Sequence, residues 1–245
     1  MQNVLIVVLA RTGSSRFPNK ILQEIEQLPS IIYQINRIEE AIEKGVSILV
    51  ATTINQQDDK LCAVLNNYKI PYFRGSEKNV LQRFLDAARS MPAKYVMRIN
   101  GDCPLICPKL IKKLINQITA NIQSDYMSTI VKERFAIGMH LEIMKYEILA
   151  KMEKMASTEN EIEHVTPVVY NNPNIFSISC IENDEDDSDL RITLDYVEDL
   201  EVIKEIAAHF KGQKFYYPDI VDYLRNHKHL IDKIAKYHKK QKVRS

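Results

Sequence analysis

The chain has 245 residues, 45% hydrophobic and 27% charged, an ordinary globular balance with length for one large or two small domains. Its 33 Lys and Arg against 32 Asp and Glu leave a formal charge of +1. That excludes whole-molecule steering to nucleic acid or a membrane surface, so any anion site must come from local clustering.

No apolar run reaches the roughly 20 residues that span a bilayer. Residues 4–10 are too short for a signal-peptide core and lack a basic stretch before them, so a cytoplasmic protein is expected. Cys62, Cys103, Cys107 and Cys180 form no Cys-x-x-Cys pair, and no His stands at zinc spacing beside them. Free thiols are expected.

Residues 4–10 form an aliphatic run too brief for a buried helix. It suits a strand covered on both faces. The loop that follows carries Arg11, Gly13, Ser14, Ser15, Arg16 and Lys20. Its small residues let the backbone approach a ligand, and its three cations supply charge-assisted donors. At the carboxyl edge of a parallel sheet this is a polyanion site, read here as a triphosphate cradle. Neither Gly-x-x-x-x-Gly-Lys-Ser/Thr nor Gly-x-Gly-x-x-Gly is present. A solvated basic loop is the plainer alternative.

Periodicity then predicts a helix over 30–44, with Ser30 as N-cap and Gly45 as its stop. A buried strand follows over 46–53, a helix over 57–67 and a short strand over 70–73. A polar loop at 74–77 leads to a helix over 79–91. A strand over 95–99 ends in Asn100-Gly101-Asp102-Cys103-Pro104, and a helix follows over 108–121. This alternation means βαβ units and a parallel sheet. The pattern then loosens. Strands are expected at 124–130, 138–144, 176–181 and 191–194, and helices at 146–157 and 159–171. These imply a mixed-sheet extension over about 130–185. An acidic loop occupies 182–189. Helices at 197–210, 219–226 and 229–237 end in a basic tail over 236–244. With no repeat or low-complexity linker, one domain with an embedded extension is expected.

Asp102 ends the fourth strand on the same edge as the cationic loop. A carboxylate beside a phosphate cradle makes electrostatic sense with a divalent cation between them, and Mg²⁺ uses one or two carboxylates plus phosphate oxygens. Asp195 could be the second ligand or an N-cap for the helix after it. Cys103, next to an acid, reads as a packing residue. His140, Glu142, Glu163 and His164 form a looser set without His-Glu-x-x-His spacing. Structural or substrate-hydroxyl contacts suit them at least as well as catalysis.

The stretch Ala10-Arg11-Thr12-Gly13-Ser14-Ser15-Arg16-Phe17-Pro18-Asn19-Lys20 resembles the Ala-Arg-x-Gly-Ser-x-Arg-Leu-Pro-Gly-Lys signature of bacterial cytidylyltransferases that activate acidic sugars such as Kdo and the nonulosonates. The spore coat polysaccharide biosynthesis protein F branch is the best match. Further matches follow in order at 51–53, 73–77, 98–105, 163–167 and 190–195, so the resemblance runs from residue 4 to about 210. It implies an α/β nucleotide-diphospho-sugar transferase fold of the glycosyltransferase-A type, with a mixed, mostly parallel sheet and helices on both faces. It also implies CTP as donor, an acidic sugar as acceptor, Mg²⁺ as cofactor and a homodimer built on the extension.

By motif match, Arg11, Arg16 and Lys20 would hold the triphosphate, with Ala10, Gly13, Ser14, Ser15 and Asp102 also in the nucleotide site. Asp102 and Asp195 would hold the metal, and Thr52, Arg74 and Ser76 would lie near the base or ribose. Arg11, Lys20 and Asp102 would be the catalytic residues. Glu142, Glu163 and His164 would face the sugar. Three positions depart from the family: Asn19 stands for Gly, Val197 for Pro, and His140 for the Asp of Gly-Leu-Asp-Val-Glu. The last is on the presumed acceptor side. A nucleotidyltransferase acting on a phosphorylated acceptor is therefore the nearest rival, and a non-catalytic nucleotide-binding homologue the rival of another class.

Overall fold

The computed structural model describes residues 4–120 and 123–242, with side chains as far as 237. The elements in order are β1 (Val4–Leu9), the hairpin β2 (Glu24–Ile25) and β3 (Leu28–Pro29), α1 (Ser30–Glu39), β4 (Val46–Thr53), α2 (Asp59–Asn67), β5 (Tyr72–Gly75), α3 (Val80–Ser90), β6 (Tyr95–Asn100) and α4 (Pro108–Ala120). Then come β7 (Tyr126–Ser128), β8 (Glu142–Lys145), α5 (Leu149–Met155), α6 (Glu159–His164), α7 (Pro167–Tyr170), β9 (Ile178–Cys180), α8 (Val197–His209), α9 (Tyr217–Asn226) and α10 (Lys228–Lys242).

One seven-stranded sheet runs β5-β4-β1-β6-β8-β7-β9. β5, β4, β1 and β6 are parallel, as βαβ alternation requires. β8 enters antiparallel beside β6, and β7 pairs antiparallel with β8 and parallel with β9. The sheet is thus mixed and mostly parallel. β1 lies at its middle, and all six of its residues are buried. Val4, Ile6 and Val8 pack under α1, α4, α8 and α9. Leu5, Val7 and Leu9 pack under α3, α5 and α7. Helices on both faces explain why β1 reads as an unbroken apolar run.

Several expected boundaries move. α1 stops at Glu39 rather than 44, and the chain then turns toward Gly45 at φ +94°. Ser30 is the first helical residue, not the cap, and its buried hydroxyl has no partner among the described residues. The third strand is Tyr72–Gly75 instead of 70–73. The helix expected over 159–171 is two short helices, because Val165 turns to φ +73° and Pro167 begins α7. Only Glu142–Lys145 of the 138–144 segment is strand. Residues 191–194 are not a strand but hold a single bridge, Arg191 to Ile137. The β2–β3 hairpin was not expected from sequence. The basic tail expected at 236–244 lies partly outside the described residues. Among the described residues, no helix is long and apolar enough to cross a membrane.

Candidate active site

The loop after β1 is built around Thr12. Its backbone N–H donates to Asp58 Oδ1 at 2.7 Å, and its hydroxyl lies 2.6 Å from the same oxygen. Thr12 O in turn accepts from Ser14 N at 2.9 Å and Asn19 N at 3.0 Å, closing the loop on itself. Asp58 Oδ2 takes the N–H of Thr53 at 3.3 Å and its hydroxyl. Burial alone would raise the Asp58 pKa, but these donors hold it below the usual carboxylate value. Asn19 adopts φ +57°, the left-handed conformation that Gly or Asn accepts at little cost. A Cβ on Gly13 would come 2.3 Å from Gln57 Nε2, so a larger residue there must displace Gln57.

Lys20 opens a short 3₁₀ turn and is buried. Its Nζ lies 2.7 Å from Asp102 Oδ2 and 2.6 Å from Asp195 Oδ1. Arg16 Nη2 reaches the same Asp195 oxygen at 2.8 Å. Burial lowers the Lys20 pKa, and the two carboxylates more than offset that, so the ammonium titrates above its ordinary value. For Asp195, burial raises the pKa, and Lys20, Arg16 and Arg191 pull it below the usual range.

Backbone contacts bring the two carboxylates together. Leu194 N donates to Asp102 O at 2.8 Å, and Thr193 Oγ1 to the same oxygen at 3.0 Å. Gly101 lets the chain before Asp102 pass close to the end of β1, since a Cβ there would meet the Ala10 Cβ at 2.7 Å. Asp199, in the first turn of α8, accepts from the N–H of Asp195 at 2.8 Å and of Tyr196 at 2.9 Å. Asp199 thus performs the capping, and the Asp195 side chain faces Lys20. Arg191 binds Asp199 at 3.0 Å and Asp195 at 3.1 Å, fixing both.

The remaining sequence-predicted residues take other positions. Arg11 is exposed and pairs with Glu77 at 3.0 Å, away from the Lys20 cluster. Arg74 pairs with Asp59 at 2.8 Å and donates to Thr53 O at 2.9 Å. Ser76 Oγ accepts from Asn79 N at 3.0 Å at the entry to α3. Thr52 is buried at the end of β4, and its hydroxyl has no partner among the described residues. Glu142 is buried, with one oxygen 2.5 Å from Tyr126 Oη and the other ion-paired to Arg98. His140 is partly buried just before β8. Glu163 and His164 are exposed at the end of α6, on a helix that packs against α3. Cys103 is buried, and burial beside Asp102 pushes its thiol pKa well up, which suits packing and not nucleophilic attack.

Sequence reasoning missed Asp58, Arg98, Arg191 and Asp199. The i, i+4 spacing of Arg191, Asp195 and Asp199 was the available signal for two of them. For Asp58 there was none, since its partner Thr12 is 46 residues away.

One ammonium held between Asp102 and Asp195 marks a place built for a cation. Among the described residues, no group of three or more His, Cys, Asp or Glu is arranged for a metal. Two carboxylates completed by phosphate oxygens are nonetheless a donor set that fits Mg²⁺. Binding there would require Lys20 to turn toward the phosphates.

A mixed α/β sheet that gathers a cationic loop and two carboxylates at one carboxyl edge is the frame of a nucleotidyltransferase. Comparison with known proteins makes the class specific. The cytidylyltransferase family model matches residues 5–219, and the chain belongs to that family. The spore coat polysaccharide biosynthesis protein SpsF of Bacillus subtilis is 27% identical over 212 residues, 84% of this chain and 87% of its own length. A 3-deoxy-manno-octulosonate cytidylyltransferase of Anaeromyxobacter dehalogenans is 29% identical over 126 residues, half of either chain. The structure of a cytidylyltransferase from Leptospira borgpetersenii superposes with a TM-score of 0.87 at 29% identity, covering 94% of this chain and 97% of its own. The chain is thus a nucleotidyltransferase of the cytidylyltransferase type.

Proposed function

We propose that this enzyme transfers CMP from CTP to the hydroxyl of an acidic sugar, Kdo-like or a nonulosonate, and releases pyrophosphate. The observation that carries the reading is the Lys20 ammonium bridging Asp102 and Asp195 at the mouth of a cationic loop. The relative that acts on 3-deoxy-manno-octulosonate supports the acidic acceptor.

In this reading the backbone of Ala10, Gly13, Ser14 and Ser15, with Arg11, Arg16 and Lys20, binds the triphosphate and neutralises the departing pyrophosphate. Arg16 and Lys20 now rest on Asp195 and exchange that carboxylate for phosphate oxygens. Thr52, Arg74 and Ser76 lie toward the base and ribose, and the unpaired Thr52 hydroxyl is a donor or acceptor in waiting. His140, Glu142, Glu163 and His164 serve the acceptor, with Glu142 acting through Arg98 because both its oxygens are taken. Mg²⁺ on Asp102 and Asp195 would supply charge neutralisation at the α-phosphate. The protein's part is positioning and charge complementarity. A homodimer through the 130–185 section is part of the same proposal, supported by exposed Val131, Tyr170 and Ile175 in that section.

The test is pyrophosphate release with Mg²⁺ across four nucleoside triphosphates and a panel of Kdo-like, nonulosonic and phosphorylated acceptors. Release with CTP and an acidic sugar is expected. Release only with a phosphorylated acceptor moves the enzyme to the rival reading. Asp102→Asn should remove most activity and leave the fold intact, and unchanged turnover would remove Asp102 from the metal site.

A further inference from the structure

His140 stands where the resembling family carries Asp, and the structure gives it a fixed place. Thr129 holds the chain on both sides of it. The Thr129 hydroxyl lies 2.8 Å from Met139 O and accepts from Leu141 N at 3.0 Å, while Thr129 N donates to Leu141 O at 3.1 Å. Gly138 lies flush against the next segment: a Cβ there, at φ +112°, would meet Ile192 C and O at 2.8 Å. Ile137 N donates to Leu190 O at 2.9 Å, and Ile192 N to Ile137 O at 2.7 Å. That segment leads directly to Asp195 and binds the backbone of Asp102 through Leu194. The backbone at 137–141 is therefore tied to both carboxylates.

The register of β6 with β8 pairs Arg98 with Glu142. His140 stands two residues before Glu142, just outside β8. The charges of Glu142, Glu133, Arg98 and Asp102 all act on its ring. The imidazole has no hydrogen-bond or ion-pair partner among the described residues. A polar ring held beside the site by its backbone, with no structural bond of its own, is free to meet a substrate group.

We propose that His140 is the general base that takes the proton of the acceptor hydroxyl as it attacks the α-phosphorus of CTP. This rests on the function proposed above. The hydroxyl oxygen bonds to the α-phosphorus, and its O–H bond breaks with the proton passing to the unprotonated ring nitrogen. The bond from the α-phosphorus to the bridging oxygen breaks, and its electron pair leaves with pyrophosphate. Burial keeps the ring neutral by lowering its pKa from the usual 6.5, the correct ground state for a base. Glu142 on its own strand, Glu133 in the preceding loop and Asp102 after β6 all favour the imidazolium that forms, and Arg98 on β6 opposes it. The other acceptor-side candidates fit the task less well. Glu142 is committed to Tyr126 and Arg98, and Glu163 and His164 are exposed on α6.

The experiment uses the full chain with CTP, Mg²⁺ and each acidic sugar of the panel that the wild type accepts. The kcat profile is followed from about pH 5 to 8.5, with CTP affinity measured by calorimetry. The wild type should lose kcat on an acid limb below pH 6.5, where the ring becomes protonated. His140→Gln should lower kcat about a hundredfold, abolish that limb, and leave CTP affinity and acceptor KM within about twofold. His140→Asp should recover part of kcat and move the limb down by about one pH unit or more. A kcat maintained in His140→Gln, a rise in KM alone, or an unchanged acid limb in that variant overturns the proposal. If His140→Gln does not bind CTP, His140→Asp decides, and an unmoved limb overturns the base. A wild type silent on every acidic sugar defeats the proposed function, and the base falls with it. An active wild type with an indifferent His140→Gln defeats the base alone.

Discussion

Asp58 shows how much one buried side chain does for the site. Its two oxygens hold Thr12 of the cationic loop and Thr53 at the end of β4, so the loop's position relative to the sheet passes through one carboxylate. Asp58→Asn keeps the shape but replaces one acceptor oxygen with a donor facing one N–H and one hydroxyl group. Leaving such donors unsatisfied costs about 1–3 kcal/mol. Urea unfolding should show the midpoint falling with the slope unchanged. The carboxyl's pKa is lowered on folding, so its contribution is present above the unfolded value of about 4 and is lost as pH falls through the folded value. The stability of the wild type should therefore decline on acidification below about pH 4 more steeply than that of Asp58→Asn. Equal slopes would remove Asp58 from the acid response.

At the scale of elements, the βαβ half of the chain was legible because each strand is buried on both faces and each helix shows one apolar side. β1, β4, β6, α3 and α4 lie where apolar runs and periodicity put them. The extension was less legible because its strands are three or four residues long and their partners are distant in sequence, as with β7 and β9. Residues 191–194 carry a strand's composition, but Asp102 and Ile137 claim their backbone groups one at a time. The hairpin β2–β3 gave no signal because its two turn residues, Glu26 and Gln27, take φ +48° and +66°, where Asn-Gly is the usual choice. That mismatch makes a prediction. Glu26→Asn with Gln27→Gly should stabilise the protein by about 1 kcal/mol, since left-handed conformations cost non-glycine residues about 1–2 kcal/mol each. The lost Glu26–Lys211 pair subtracts little, because Lys211 is mostly exposed. A rise in Tm of about 2–4 °C is expected, and a fall would mean the turn is not of this type.

For the whole molecule, the site couples charge to stability. The meeting of Lys20 with Asp102 was legible, because a cationic loop after the first strand and an acid after a later parallel strand share one sheet edge, whereas Arg11, Glu163 and His164 lie apart from that cluster. What the sequence could not show is how these charges pair with one another. The loop's Lys20 and Arg16 are drawn into the Asp102–Asp195 pair, while Arg11 turns to Glu77 instead. An enzyme whose own ammonium fills the place between its two acids should respond weakly to Mg²⁺ alone and strongly to CTP with Mg²⁺. In the proposed reading, triphosphate would give Lys20 a second partner, and its departure would open the carboxylates. With ligand at about a hundred times Kd, stabilisation of about 2.7 kcal/mol is expected, and removing Mg²⁺ with a chelator should abolish most of it. Lys20→Met reverses the pattern. Removing one partner of a buried ion pair costs about 3–5 kcal/mol, so the variant should melt well below the wild type. Mg²⁺ alone should then restore part of the loss, because the metal supplies the charge that Lys20 gave. Thermal unfolding of both proteins, with and without Mg²⁺ and CTP, reads all of these outcomes. A Lys20→Met protein indifferent to Mg²⁺ would mean that Asp102 and Asp195 do not form a cation site.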